Sequence, residues 1–193
     1  MILYLHGFRS SPHSFKAQVM AQRLQALGRS AEFICPQLPA SPRAAIALAQ
    51  QLVAGIDPAT LTVIGSSLGG FYATWLAEQL GCRAVLLNPA ITPLHDLKKY
   101  IGSTTQFHSD EPFDFKPEYI DELDAISVAQ ITQPERYLLL AATGDEVLDW
   151  HQMVAHYPAA VQHVIAGSDH GISEFPDYVD EVLTFCDRPP EPA

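Results

Sequence analysis

A serine between two glycines is the first group in this chain that could do covalent chemistry. The segment Gly65 to Gly69 reads Gly-Ser-Ser-Leu-Gly, so Ser67 is the centre of a Gly-x-Ser-x-Gly pattern. An apolar run, Leu61 to Ile64, precedes the pattern, and a helical pattern follows it. Strand, tight turn and helix are the context in which this pattern forms a nucleophile elbow, whose strained backbone presents the serine hydroxyl beyond the sheet edge. Ser67 is therefore the candidate nucleophile, and the backbone N–H of Leu68 is a candidate donor to an oxyanion.

The same glycine-rich turn could instead bind a phosphate group. A nucleotide-binding loop needs a Lys-Ser or Lys-Thr pair at its end, or a Gly-x-Gly-x-x-Gly pattern. Neither feature occurs at this turn. The turn therefore favours a nucleophile over a nucleotide site.

An acid and a histidine also occur where a serine nucleophile needs them. A serine attacks a carbonyl only when a base takes its proton and an acid orients that base, and in this architecture the chain order is serine, acid, histidine. Asp145 follows the apolar run Arg136 to Ala142, and His170 follows the run Gln162 to Ala166. Because parallel strands end at one edge of a sheet, both side chains should meet Ser67 there. The order predicts Asp145 as the orienting acid and His170 as the general base.

Neighbouring acids compete for the role of Asp145. Glu146 and Asp149 lie within four residues of it. Asp145 is favoured because it directly follows strand residues, whereas Asp149 could be an ordinary charge at the start of a helix. Asp145 itself could also be a turn residue that bonds its own backbone.

Metal binding is the alternative use of the histidines. His151 and His156 are five residues apart, which misses the His-Glu-x-x-His spacing of a zinc site. His108, Asp110 and Glu111 could be considered as ligands, but a solvated acidic turn is the favoured interpretation. No metal site is expected.

The loop after the first apolar run, Ile2 to Leu5, supplies a further candidate. In an architecture with a nucleophile elbow, this loop provides the second N–H of the oxyanion hole. The loop reads His6-Gly7-Phe8, so the N–H of Phe8 is predicted in that role. His6 is expected to brace the loop by hydrogen bonding.

Short apolar runs alternate with helical patterns along the chain. Strands are predicted at 2–5, 31–35, 61–64, 83–87, 136–142 and 162–166, and helices at 14–27, 41–54, from 68 onward, at 150–156 and at 176–185. The first helix is predicted to bury a face made by Phe15, Val19, Met20, Leu24 and Leu27. This alternation implies right-handed crossovers and a parallel sheet with helices on both faces, so the fold class is α/β.

The segment 92–133 breaks this alternation. It shows no strand pattern and is too long for an ordinary connection, so it is predicted to form a small helical cap over the strand ends. Its aromatic residues would together wall a pocket: Tyr100, Phe107, Phe113, Phe115 and Tyr119.

Composition limits the classes of protein to consider. The 193 residues are 48% hydrophobic and 17% charged, which is typical of a globular chain. Residues 1–186 are interpreted as one domain, and the proline-rich tail 187–193 is expected to be disordered. The formal net charge of −11 argues against nucleic acid or an anionic membrane as a partner. The expected partner is a small-molecule substrate.

Cysteine usage and the first residues bear on the compartment. Cys35, Cys82 and Cys186 are widely spaced and form no Cys-x-x-Cys pair, which is typical of reduced cysteines in a cytoplasmic protein. The start, MILYLHG, has neither the basic region nor the long apolar run of a signal peptide. The sequence contains no uninterrupted run of about 18 apolar residues, so no membrane span is expected. The oligomeric state is not indicated.

The His-Gly loop, the serine turn, the acid and the histidine, in that order, resemble the α/β-hydrolase fold. The segments MILYLHGFRSSPHSFKA, IGSSLGGFYATWLAE, LLNPA, TGDEVLD and GSDHGI look more narrowly like the small bacterial esterases of the YqiA type. The resemblance extends to about Cys186. It implies a serine esterase that hydrolyses carboxylic esters or acyl-thioesters through Ser67, His170 and Asp145, without a metal or organic cofactor.

The resemblance also implies an architecture. The chain begins at the first parallel strand, so the leading antiparallel strands of larger family members are expected to be missing. The expectation is a three-layer α/β-hydrolase fold with a minimal six-stranded parallel sheet in the order 2-1-3-4-5-6 and a small helical cap. An acyltransferase or amidase with the same triad, and a hydrolase-like binding protein without activity, remain as alternatives. The complete set of three groups disfavours the binding protein.

Overall fold

A parallel sheet of six strands forms the centre of the computed structural model, which describes residues 1–106 and 112–189. The described residues form eight strands in all, six in this sheet and two in a separate pair. They are, in chain order, β1 (Ile2–Leu5), β2 (Phe33–Ile34), β3 (Thr62–Ser66), β4 (Arg83–Leu87), β5 (Gly102–Thr105), β6 (Pro112–Phe115), β7 (Tyr137–Ala142) and β8 (Val161–Ile165). The sheet runs β2-β1-β3-β4-β7-β8 and every pairing in it is parallel. Since β5 and β6 lie outside this sheet, the order confirms the prediction of 2-1-3-4-5-6.

Helices cover both faces of the sheet and make the three layers. They are α1 (Phe15–Ala26), α2 (Pro42–Leu52), α3 (Leu68–Leu80), α4 (Pro93–Leu97), α5 (Glu118–Asp124), α6 (Trp150–His156) and α7 (Phe175–Cys186). Alternate residues of β1 enter different cores: Leu3 and Leu5 pack with α2, α3 and α6, whereas Ile2 and Tyr4 pack with α1 and α7. Because both faces are buried at the centre of the sheet, β1, β4 and β7 are nearly continuous apolar runs, whereas the edge strand β8 is partly exposed.

The buried face of α1 differs from the prediction at both ends. Met20 and Leu24 are buried as predicted, but Phe15 is 50% exposed and Leu27 is 46% exposed. Lys16, only 7% exposed, is buried instead. The prediction for Phe15 and Leu27 is wrong because hydrophobic periodicity ignores a polar side chain that finds its partner far along the chain.

The insertion between β4 and β7 contains a hairpin as well as helices. Strands β5 and β6 pair antiparallel, with Ser103 opposite Asp114, and α4 and α5 lie on either side of them in the chain. The hairpin corrects the expectation that this segment holds no strand. Phe107, counted above among the aromatics of the cap, lies outside the described residues.

The first residues of the proposed tail are tied to the domain. The carboxylate of Asp187 lies 2.7 Å from the guanidinium of Arg29, and the guanidinium of Arg188 lies over the ring of Phe185. Residues 190–193 lie outside the described part of the chain, so the disordered tail stays a prediction. Among the described residues, no helix has both the length and the apolar character needed to cross a bilayer.

Two glycines flank Ser67 where backbone segments almost touch. A Cβ on Gly69 would lie 2.0 Å from the carbonyl oxygen of Leu5, and one on Gly65 would lie 2.2 Å from the carbonyl oxygen of Gly69. Neither distance leaves room for a side chain. These glycines allow α3 to pack directly against β1 and β3 and so place Ser67 at the end of the sheet.

We expect Gly69→Ala to lower the free energy of unfolding by about 3 kcal/mol, because the backbone at the end of β1 must move away from α3. Gly28→Ala is the matched control. Gly28 has a φ of 71° and nothing within 4 Å of an added Cβ, so its substitution costs only the strain of a left-handed residue, about 1 kcal/mol. Urea denaturation measures both values, and equal losses would contradict the steric explanation.

Candidate active site

Ser67 occupies a strained turn between β3 and α3. Its φ is 55° and its ψ is −121°, a combination that residues other than glycine rarely adopt. The N–H of Ser67 donates to the carbonyl of Leu87 at 3.1 Å, and its carbonyl accepts from the N–H of Ala90 at 3.0 Å. These hydrogen bonds to the end of β4 hold the turn, so the hydroxyl is presented beyond the carboxyl ends of the strands.

The structure brings the three predicted side chains together. His170, in the loop after β8, has Nε2 3.1 Å from the hydroxyl of Ser67 and Nδ1 2.7 Å from Oδ2 of Asp145. The serine and the histidine are 103 residues apart in sequence, and the histidine and the aspartate are 25 apart. The imidazole therefore lies between a hydroxyl and a carboxylate, where one nitrogen can accept a proton while the other donates one.

Asp145 is held in a single orientation. Its side chain is fully buried, and its Oδ1 accepts the N–H groups of Val147 and Leu148, each at 2.8 Å. The second oxygen is left for the imidazole of His170. Backbone donors thus fix the carboxylate, which in turn fixes the ring.

The two competing acids bind elsewhere. Glu146 accepts the backbone N–H of His170 at 3.0 Å and so holds the loop, not the imidazole. Asp149 caps α6 by accepting the N–H of His151 at 2.9 Å. Among these carboxylates, Asp145 is the one that contacts the imidazole of His170.

The predicted oxyanion donors lie beside Ser67. Phe8 and Leu68 line the same cavity as Ser67 and His170, with a volume of about 240 Å³. A Cβ added to Gly7 would lie 3.2 Å from the Cβ of Ser67, so the peptide that leads to Phe8 lies against the serine. Leu68 begins α3, where N–H groups have no partner within the helix. Phe8 and Leu68 therefore lie next to Ser67, and the role of their N–H groups in an oxyanion hole stays a prediction.

His6 braces the first loop, as predicted. Its Nε2 accepts the N–H of Leu38 at 3.0 Å, so this nitrogen is unprotonated and Nδ1 carries the hydrogen that it donates to the carbonyl of Gly7. Burial lowers the pKa of His6, which keeps the ring neutral. A neutral ring with both nitrogens engaged is a structural group.

Aromatic residues of the insertion surround the loop that carries Phe8. The ring of Phe8 lies 5.1 Å from Phe113 and 5.2 Å from Phe115, edge to face, and 5.4 Å from Tyr100. Tyr100 also lines the cavity beside Ser67. Of the predicted aromatic wall, Tyr100 therefore lines the cavity itself, whereas Phe113 and Phe115 pack against Phe8.

Two side chains near the imidazole were not singled out from the sequence as functional. Asn88, with a φ of 44°, donates from Nδ2 to the carbonyls of Asp169 and His170 and accepts the N–H of Ala142 on Oδ1. Lys16 donates to the carbonyl of His170. The position of Asn88 could have been predicted, since an amide directly after a buried parallel strand lies at the edge of the sheet where the strands end. The role of Lys16 could not, because its partner is 154 residues away in the sequence.

Metal ligands are not grouped in the described part of the chain: no three His, Cys, Asp or Glu side chains there could hold an ion. His108, Asp110 and Glu111 lie outside the described residues.

The chain matches one family model and is similar in fold to several solved structures. A family model described as "Uncharacterised protein family (UPF0227)" matches residues 1–187. A putative hydrolase from Agrobacterium vitis S4 superposes with a TM-score of 0.75 at 19% identity, covering 96% of this chain and 87% of the other. Mouse alpha/beta hydrolase domain-containing protein 10 gives 0.70 at 17% identity, covering 95% and 89%.

A third similar structure contains a small aromatic acid. Est1E from Butyrivibrio proteoclasticus, with ferulic acid bound, superposes with a TM-score of 0.71 at 12% identity, covering 95% of this chain and 87% of the other. The identities are low and the coverage is nearly complete. Together these likenesses establish the α/β-hydrolase fold for this chain.

Proposed function

This chain belongs to the UPF0227 family and has the α/β-hydrolase fold, and from that premise we propose that it is a serine esterase for small carboxylic esters or acyl-thioesters. One observation carries the proposal: the imidazole of His170 lies within hydrogen-bond distance of both the Ser67 hydroxyl, at 3.1 Å, and the Asp145 carboxylate, at 2.7 Å. A hydroxyl, a base and an orienting acid in contact are what acyl transfer through a covalent intermediate requires.

The proposed reaction has two halves. Ser67 Oγ attacks the ester carbonyl while His170 Nε2 takes its proton, and the N–H groups of Phe8 and Leu68 stabilise the oxyanion. The imidazolium then protonates the leaving alcohol or thiol, and the acyl group remains on Ser67. Water, deprotonated by the same imidazole, attacks the acyl-enzyme and releases the acid. Asp145 stabilises the imidazolium in both halves.

The cavity suggests a small acyl group. At about 240 Å³ it is smaller than the usual range for ligand pockets, about 300–1,000 Å³. Its wall near Ser67 is largely apolar, with Phe8, Leu97, Tyr100 and Leu148 among its residues. The ferulic acid bound to Est1E shows that one similar structure accommodates a small aromatic acid. We therefore place short acyl esters first among the substrates.

The three cysteine thiols bear on the cellular compartment in which the protein acts. Cys35, Cys82 and Cys186 are all free, and burial raises the pKa of each thiol, of Cys82 to about 11. Unpaired, unreactive cysteines are typical of a reducing compartment, so we propose that the enzyme acts in the cytoplasm.

A panel of acyl esters and acyl-thioesters of graded chain length tests this proposal. We expect turnover without added metal, with the highest kcat/KM for short acyl chains, because longer chains exceed the cavity. A fluorophosphonate probe should modify Ser67, identified by peptide mass spectrometry, since only an activated serine reacts with it. A protein that turns over no ester or thioester and leaves Ser67 unmodified would be a binding protein.

A further inference from the structure

Lys16 is a buried cation behind the candidate site. It is the second residue of α1, only 7% exposed, and its Nζ donates to the carbonyl oxygen of His170 at 3.1 Å. It does not touch the imidazole. Its contact is with the backbone that carries the imidazole.

The backbone of His170 is held from both sides by side chains. Asn88 Nδ2 donates to the same carbonyl at 3.1 Å and to the preceding one, of Asp169, at 3.0 Å. Glu146 accepts the N–H of His170 at 3.0 Å. In the loop after β8, the peptide groups on both sides of His170 are therefore held by hydrogen bonds with side chains.

Stability alone does not account for a lysine at this place. Burial lowers the pKa of Lys16 to about 8, although the carboxylates of Asp145 and Asp169 oppose that effect. The ammonium is therefore costly to bury, and an apolar side chain of similar length would fill the space between α1 and the sheet without that cost. What an apolar side chain would lose is the hydrogen bond to His170.

We propose that Lys16 is a positioning residue for His170: its ammonium, together with the amide of Asn88, holds the carbonyl of His170 and keeps the imidazole aligned between Ser67 and Asp145. The inference rests on the proposed esterase function. The alignment matters because a displacement of about 1 Å in a catalytic group can reduce a rate roughly hundredfold.

The test compares Lys16→Met with the wild-type protein. Methionine keeps an unbranched side chain of similar length but cannot donate to the carbonyl of His170. We expect kcat for p-nitrophenyl acetate to fall roughly tenfold to hundredfold with KM changed by less than about twofold, because the cavity beside Ser67 is lined by other described residues. Lys16→Gln, which can still donate from its amide, should recover part of the loss.

Gln18→Met is the matched control. Gln18 lies on the same helix and donates to a loop carbonyl at the same distance, 3.1 Å, but that carbonyl belongs to Pro12. Its loss should change kcat by less than about twofold. A fall in kcat shared equally by both methionine variants would assign Lys16 to general stability and overturn the proposal.

A second readout does not depend on activity. The proton on Nδ1 of His170, hydrogen-bonded to Asp145, should give a low-field proton NMR resonance in the wild-type protein that is lost or shifted in Lys16→Met and retained in Gln18→Met. If the wild-type protein is inactive, the esterase proposal fails while this comparison still tests the positioning. An unchanged resonance in Lys16→Met, or the failure of both Lys16 variants to fold, would overturn the inference.

Discussion

Ser67→Ala should reduce ester turnover by roughly 10⁵- to 10⁶-fold, to the level that binding and the oxyanion donors alone provide. The substitution removes the only atom that can form the acyl-enzyme in the proposed reaction. Folding should be preserved, because the hydroxyl bonds only to His170 among the described residues and the backbone bonds of the turn do not involve the side chain. Steady-state hydrolysis of a short acyl ester, with circular dichroism of the same sample, measures both outcomes.

The neighbouring serine gives the control. Ser66 is the last residue of β3 and is buried, so Ser66→Ala removes the same atom one position earlier. The hydrogen bonds of the His170 imidazole go to Ser67 and Asp145, not to Ser66. Activity should therefore stay within about threefold of wild type. Turnover retained in Ser67→Ala, or lost equally in both variants, would remove Ser67 from the mechanism.

The serine turn could be predicted because its determinants are local. An apolar strand, two glycines that pack against backbone and a following helix are all contained in residues 61–77, and the structure places them as the sequence indicates. The order of Asp145 and His170 could be predicted for a related reason. In a parallel sheet every strand ends at one edge, so a residue just after a strand is placed by topology even when its partners are distant.

The hairpin and the support behind His170 could not be predicted in the same way. Strands β5 and β6 have four residues each, and their sequences, GSTT and PFDF, are rich in residues that are also common in loops. They are strands because they pair with each other. Lys16 is buried for a similar reason, since its acceptor lies in the loop after β8. Periodicity reports which side chains avoid water, not which polar groups find a partner after folding.

Asp145→Asn should lower kcat by roughly 10⁴-fold while leaving the fold intact, and the reason lies in which atoms Asp145 binds. Its Oδ1 accepts two backbone N–H groups, from Val147 and Leu148. In the asparagine variant the carbonyl oxygen must take that place, so the amide NH₂ faces Nδ1 of His170. That nitrogen then has to accept, and the ring proton moves to Nε2, where it prevents the imidazole from taking the proton of Ser67.

The other acids of this turn make the comparison specific. Asp149→Asn keeps an oxygen that can cap α6, and Asp149 contacts His151 instead of His170, so its activity should stay within about threefold of wild type. Rates are measured on one short acyl ester across pH, and denaturation midpoints show that both variants fold. An equal loss in the two variants would point to a general effect of charge on the acidic turn. A loss confined to Asp149→Asn would contradict the prediction. It would mean that Asp149 orients the imidazole of His170, which would then have to rotate away from Asp145.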